Sequence, residues 1–321
     1  MDKAGDTIIE VSELTKRFVG RIAIDNISFS VARGEVVGLL GPNGAGKSTT
    51  MRVLACYYPA TSGTARVAGF DVSTHPYEVK KRIGYMPENN PLHKDMRVRE
   101  YLKFRARLKG LGWKESRKQV DLIINQCGLG DVADRIIGQL SKGYQQRVGL
   151  ADALVHNPEV IILDEPTIGL DPNQVRSVRN LIKSLAGRHT VLISTHNLTE
   201  VEMTCNRVII LNNGKVLAAD KTENLQKMVS TGPQIIAEIL APIDQLKSFL
   251  GNLAGIESFE IIPSDAGYYR CIVIPKNEND LREKIYEKAA ASNWKLRELT
   301  KSRYGLEEIF VQLTKKEEEE E

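Results

Sequence analysis

The sequence predicts an α/β fold built on a parallel sheet, followed by a smaller α+β unit. Three observations carry that prediction. Short apolar runs alternate with helical patterns over roughly the first 225 residues. A glycine-rich stretch, residues 41–49, lies between one such run and a helix. Near residues 228–233, in MVSTGP, turn-forming residues cluster, and the pattern then restarts in a different order.

In chain order, the stretch up to residue 31 alternates apolar and polar residues without helices between. It reads as antiparallel strands. Residues 35–41 are an apolar run leading into the glycine-rich turn, and a helix is predicted from 47 to 57. The runs 160–164 and 190–195 are short and β-branched, as buried parallel strands are. Helices are predicted over 98–108, 113–127, 144–156 and 172–186. Residues 207–211 and 215–219 flank Asn212-Asn213-Gly214, a hairpin turn signal. Crossover helices between parallel strands imply an α/β sandwich.

Beyond the break, 234–240 alternates as a strand. Helical spacing over 243–253 puts Ile243, Leu246, Phe249, Leu250 and Leu253 on one face. Strands at 258–262 and 268–274 bracket a Pro-Ser-Asp-Ala-Gly turn; a helix at 280–291, a strand at 294–299 and a last helix at 306–313 follow. The order βαββαβ is that of a ferredoxin-like unit. The expected division is 1–228, 234–314 and an acidic, disordered tail 315–321.

The chain has 321 residues, enough for two domains of roughly 150 residues each. Its formal net charge is +3, too small to argue for a nucleic-acid partner, and none is expected. No apolar run approaches the roughly 18 residues of a membrane-spanning helix. The N-terminus MDKAGDTIIEV lacks the basic-then-apolar secretory pattern, so the chain is expected to stay on the side of the membrane where it is made. Cys56, Cys127, Cys205 and Cys271 form no CxxC pair, which fits a reducing compartment rather than disulfides or zinc.

Gly41-Pro42-Asn43-Gly44-Ala45-Gly46-Lys47-Ser48-Thr49 fits the phosphate-loop pattern G-x-x-x-x-G-K-[ST] between a strand and a helix. Glycines let the backbone curl so that its N–H groups point at phosphate oxygens. The positive end of the following helix adds to that field. Lys47 supplies a full charge to the β- and γ-phosphates, and the Ser48 hydroxyl is placed to ligate Mg²⁺. Later, the apolar run Val160-Ile161-Ile162-Leu163 ends in Asp164-Glu165. Asp164 can hold Mg²⁺ through water, and Glu165 can polarise an attacking water as general base. Taken alone, two acids ending a strand are equally a solvated strand end.

Between these motifs lies Leu140-Ser141-Lys142-Gly143-Tyr144-Gln145-Gln146-Arg147; after them come Gly169-Leu170-Asp171 and Ser194-Thr195-His196. Their order and spacing over residues 7–225 resemble the nucleotide-binding subunits of ABC transporters. The Leu-Ser-Lys-Gly-Tyr variant and the tail Leu306-Glu307-Glu308-Ile309-Phe310 resemble the ATPase subunits of ABC-2-type exporters, including the gliding-motility-associated kind. The resemblance implies ATP and Mg²⁺ as cofactors and a P-loop NTPase domain of the ABC type with antiparallel β and helical subdomains. It implies that Phe18 stacks on adenine, although a core phenylalanine reads as well. It implies that Ser141 and Gly143 contact the γ-phosphate of ATP held by a second subunit, with Asp171 at the interface between the two sites. It implies that His196 contacts the γ-phosphate.

Two departures stand against the family pattern. Glu88 replaces the usual Gln, which would touch Mg²⁺ and the attacking water; a carboxylate can also ligate Mg²⁺ but adds negative charge beside phosphates. Lys142 and Tyr144 replace the usual Gly and Gln, while Ser141 and Gly143 remain.

The reading that follows is an ATP-hydrolysing exporter subunit. Two copies would sandwich ATP and drive transmembrane permease subunits on separate chains, from the cytoplasmic face of the inner membrane. Residues 89–105 would form part of the docking surface, or simply a solvated face. Two other classes compete. A soluble ABC-type ATPase acting on ribosomes or DNA would carry two nucleotide domains or a long coiled-coil insertion, and residues 50–139 are too few for the latter. A non-hydrolysing sensor would be expected to lack Glu165.

Overall fold

The computed structural model describes residues 7–222, 224–225, 234–276 and 279–302. The expected linker 228–233, the last helix 306–313 and the acidic tail 315–321 lie outside the described residues. The chain divides into two compact units, 1–222 and 223–321.

The first unit opens with β1 (Thr7–Phe18) and β2 (Arg21–Ala32), which pair antiparallel. With β4 (Ser62–Val67) and β5 (Phe70–Asp71) they form a four-stranded sheet in the order β2-β1-β4-β5. β3 (Val36–Leu40) belongs to a second sheet and is buried along its whole length. That burial is why it reads as a continuous apolar run rather than an alternating one. Between the two sheets sits α1 (Lys47–Leu54), whose Met51, Val53 and Leu54 join the core formed by Ile9, Val11, Ile27, Val160, Ile162 and Leu192.

The second sheet has six strands: β3, β6 (Ile83–Met86), β7 (Val160–Asp164), β8 (Thr190–Thr195), β9 (Arg207–Asn212) and β10 (Lys215–Lys221). Their order is β10-β9-β3-β8-β7-β6. β9, β3, β8, β7 and β6 run parallel, and β10 returns antiparallel through the Asn-Asn-Gly turn. Leu40 pairs with Thr195, Asp164 with Ser194, and Leu163 with Met86. Four strand ends, and the loops that leave them, therefore share one edge of the sheet. A helical part comprises α3 (Val98–Leu108), α4 (Trp113–Gln126) and α5 (Lys142–Leu154), with Tyr101 and Leu102 buried and Arg105 held by Asp152 at 2.7 Å. α2 (Pro76–Arg82), α6 (Pro172–Leu185) and α7 (Leu198–Thr204) complete the unit. No helix among the described residues is long and apolar enough to cross a membrane.

Several helix boundaries differ from the sequence expectation by a residue or more, and two of them bear on the site. α1 stops at Leu54, not residue 57, because Cys56 takes a left-handed backbone (φ 58°) that an α-helix cannot continue. α5 starts at Lys142, not residue 144, with Ser141 extended at the cap position. Gly143 therefore lies in the first turn. The elements β4, β5, α2, β6 and α7 are additional to those predicted; β5 is two residues and β6 four, too short to show a period.

The second unit is a βαββαβ arrangement. Its strands are β11 (Gln234–Leu240), β12 (Ile256–Pro263), β13 (Tyr269–Pro275) and β14 (Lys295–Ser302), and its helices α8 (Ile243–Asn252) and α9 (Arg282–Ala291). The sheet order is β12-β13-β11-β14, with every neighbouring pair antiparallel. Ile235, Ala237, Ile239, Leu246, Leu250, Cys271, Val273 and Ile285 form its core.

Candidate functional site

The loop leaving β3 wraps into α1, and its sequence explains its shape. Gly46 has φ 104°, a region closed to residues with a Cβ, and a Cβ there would lie 2.6 Å from the Ala23 carbonyl oxygen. The tight path brings the first turn of α1 to the sheet edge. The Lys47 ammonium folds back over the loop, donating to the carbonyls of Gly41 at 2.7 Å and Pro42 at 3.1 Å. It lies 3.8 Å from a Glu165 carboxylate oxygen. Burial pulls the Lys47 pKa down, opposed by the carboxylates of Glu165, Asp164 and Glu88.

A cleft of about 550 Å³ opens over this loop. Its walls include Phe18, Arg21, Asn43, Gly44, Gly46, Lys47, Ser48 and Thr49 from one side, and Glu88, Glu165, Ile168 and His196 from the other. Phe18 stands at its mouth, 43% exposed, with Tyr58 edge-on at 5.4 Å and the Lys16 ammonium 5.1 Å from the ring. At 43% exposure on the cleft wall Phe18 is not a core residue, so the core reading does not hold here. Ala45 is buried behind the loop rather than on the cleft wall.

Asp164 is fully buried behind Ser48. Its Oδ1 accepts from the Ser48 hydroxyl at 3.0 Å and from the Ser194 hydroxyl at 2.6 Å, while its Oδ2 is buried without a hydrogen-bond partner among the described residues. A buried carboxylate oxygen left unpaired beside a serine hydroxyl fits a hard divalent cation reached directly or through water. Glu88 lines the cleft wall near Lys47, as Glu165 does.

Glu165 is held by Ser194 and His196. Its N–H donates to the Ser194 hydroxyl at 2.9 Å. Both its carboxylate oxygens lie 3.0 Å from His196 Nδ1. An ionised carboxylate can only accept, which puts the imidazole proton on Nδ1. Burial raises the Glu165 pKa, and the His196 hydrogen bond pulls it back down. The product is a buried carboxylate with raised basicity beside a lysine and below an open cleft, the chemistry a general base needs.

Ser141, Gly143 and Asp171 stand outside this cleft and lie near one another. Gly143, in the first turn of α5, packs against the Gln174 side chain. Asp171 caps α6 by accepting from the Gln174 N–H at 2.9 Å. Two polar residues, one on the cleft wall and one buried behind it, were given no role from the sequence. Arg21 on β2 donates to the Gly44 carbonyl at 3.1 Å, and no motif marks it. Ser194 organises both acids; its signal was its place at the end of a parallel strand beside β7.

Comparison with known proteins gives consistent results. A family model described as ABC transporter matches residues 24–168. An uncharacterized ABC transporter ATP-binding protein of Methanocaldococcus jannaschii is 39% identical over 218 residues, covering 68% of this chain and 79% of that protein. The daunorubicin/doxorubicin resistance ATP-binding protein DrrA of Streptomyces peucetius is 36% identical, covering 70% of this chain and 68% of that one. The bacitracin transport ATP-binding protein BcrA of Bacillus licheniformis is 36% identical, covering 69% and 72%. Among solved structures, an ATP-binding subunit of an ABC transporter superposes with a TM-score of 0.64 at 26% identity, over 77% of this chain and 100% of that one. An ATP-binding cassette in a dimeric post-hydrolysis state with ADP and Pi gives 0.61 at 27% identity, over 67% and 98%.

Proposed function

The chain belongs to the ABC transporter ATP-binding family, and from that premise we propose that it is the ATP-hydrolysing subunit of an exporter. The relatives named for daunorubicin/doxorubicin resistance and for bacitracin transport support the exporter reading. Two copies sandwich ATP, and their closing and reopening drive separate transmembrane subunits at the cytoplasmic face of the membrane. One observation carries the hydrolytic part: Lys47, Ser48, Glu165 and His196 converge on one cleft, with Asp164 buried directly behind it.

In this reading Phe18 receives the adenine ring, and the loop N–H groups with Lys47 bind the phosphates. Ser48, Asp164 and Glu88 hold Mg²⁺, which when bound neutralises phosphate charge. Glu165 takes the proton of the attacking water, and His196 holds that carboxylate in place while facing the γ-phosphate. Ser141 and Gly143 act on the partner copy's nucleotide, because they lie outside their own cleft. The positive end of α5 gives that turn its affinity for phosphate.

The test separates chemistry from assembly. Glu165→Gln keeps the side chain's shape and removes its basicity, so ATP binds while turnover falls about 10²–10⁴-fold. Mixing a Ser141→Arg chain with a Lys47→Ala chain puts both lesions in one composite site and leaves the other intact. Each variant alone is inactive, and the mixture regains activity. Unchanged turnover in Glu165→Gln refutes the base; mixtures that stay inactive mean either that the sites are not shared between chains or that both sites must fire together.

A further inference from the structure

Gln146 is 6% exposed, in the second turn of α5, five residues beyond Ser141. A buried side-chain amide is costly unless both its ends are satisfied. Here both are, by residues from two different loops. The Gln146 Nε2 donates to the Pro166 carbonyl at 2.8 Å. That carbonyl can only accept, which fixes the amide's orientation and leaves its Oε1 free to accept. It does so from Asn90 Nδ2 at 3.2 Å. One turn further along α5, Gly149 makes room for the same asparagine; a Cβ there would lie 2.4 Å from Asn90 Nδ2.

The three partners belong to segments with different tasks. Asn90 follows Glu88 by two residues, and Pro166 follows Glu165 directly. Gln146 lies on the helix whose first turn presents Ser141 and Gly143. Resting on the reading of shared sites given above, we propose that Gln146 is a positioning residue that links these segments. Its amide ties the loop carrying Glu88 and the loop carrying Glu165 to the helix that reaches into the partner's site. A shift of either loop on nucleotide binding then moves α5, and with it the surface offered to the second copy. None of the three bridging residues lines the cleft, so cutting the bridge is expected to leave the nucleotide affinity of the single chain unchanged.

The experiment uses the full chain with Glu165→Gln as parent, so that ATP-bound dimers persist. ATP affinity is measured by calorimetry at low protein concentration, and dimerisation with ATP by analytical ultracentrifugation. Asn90→Ala weakens ATP-dependent dimerisation by about tenfold, the scale of one lost buried hydrogen bond, and Gln146→Leu, which loses two, weakens it at least as much. Both leave monomer ATP affinity unchanged. The double variant is no weaker than the worse single variant, because both changes break one bridge. Dimerisation equal to the parent in both single variants overturns the proposal. So do effects that simply multiply, or a parallel loss of ATP affinity, which a merely structural role would give. If Gln146→Leu does not fold, Asn90→Ala alone decides by the same two measurements. A parent that stays monomeric with ATP overturns the shared-site reading and this inference with it; a dimerising parent with indifferent variants overturns this inference alone.

Discussion

Glu165 sits in left-handed backbone, φ 48°, at the end of a buried strand. For a residue with a Cβ that conformation costs about 1–3 kcal/mol, and it persists where the surroundings hold it. Here the Ser194 hydroxyl and carbonyl both receive the Glu165 N–H, at 2.9 and 3.2 Å. The turn aims the carboxylate across the cleft at His196 and Lys47. Its titration is open to test. Burial raises the Glu165 pKa and the His196 hydrogen bond lowers it. A base must be ionised to act, so activity falls as pH drops through that pKa. His196→Ala removes the largest interaction opposing burial, leaves the nearby Lys47 charge to oppose it, and moves the pKa further up. The pH–rate profile of the variant is expected to show its acidic limb displaced to higher pH, with a lower plateau. An acidic limb that stays in place or moves down would contradict the hydrogen bond as the cause.

At the scale of elements, α6 depends on its first residues. Asp171 is extended (φ −73°, ψ 163°) and caps the helix through the Gln174 N–H, with Pro172 at the first helical position. Both features suit a helix start. Asp171→Ala removes the cap and should lower stability by about 0.5–2 kcal/mol, read as a reduced denaturant midpoint with unchanged slope. Asp171→Asn caps about as well and should restore the midpoint. The proposed place of Asp171 at the interface between sites makes a separate claim: Asp171→Asn should restore stability without restoring full ATP-dependent dimerisation. Equal recovery of both would reduce Asp171 to a helix cap.

For the whole molecule, all the residues proposed to hold nucleotide fall in the unit 1–222, and the six-stranded sheet of that unit ends with β10 at Lys221. The second unit has its own core around Ile235, Leu246 and Val273. A fragment of residues 1–230 is therefore expected to be soluble and to bind ATP as the full chain does. What it is expected to lose is regulation or dimer affinity, since none of the nucleotide motifs lies in the second unit. Calorimetric ATP titration and thermal unfolding of fragment and full chain test this. A fragment that aggregates, or folds without binding ATP, would show that the second unit completes the first.

The phosphate loop, the acidic pair after β7 and the parallel strands were legible because each depends on neighbours in sequence. A glycine-rich curl, an apolar strand and a helix start are local events with local residue signatures. The sequence likewise determined the family, through motifs spread over most of the first unit. Short elements such as β5 and β6 were not legible, since two to four residues carry no period and pair only with strands far along the chain. Nor were Arg21, Ser194 and Gln146 as working residues. Their roles come from partners 23, 30 and 56 positions away: Gly44, Asp164 and Asn90. Only the packed sheet edge brings those distant polar groups within hydrogen-bonding reach. Burial there makes each unmet donor or acceptor expensive, so tertiary structure decided which of many ordinary polar side chains became part of the site.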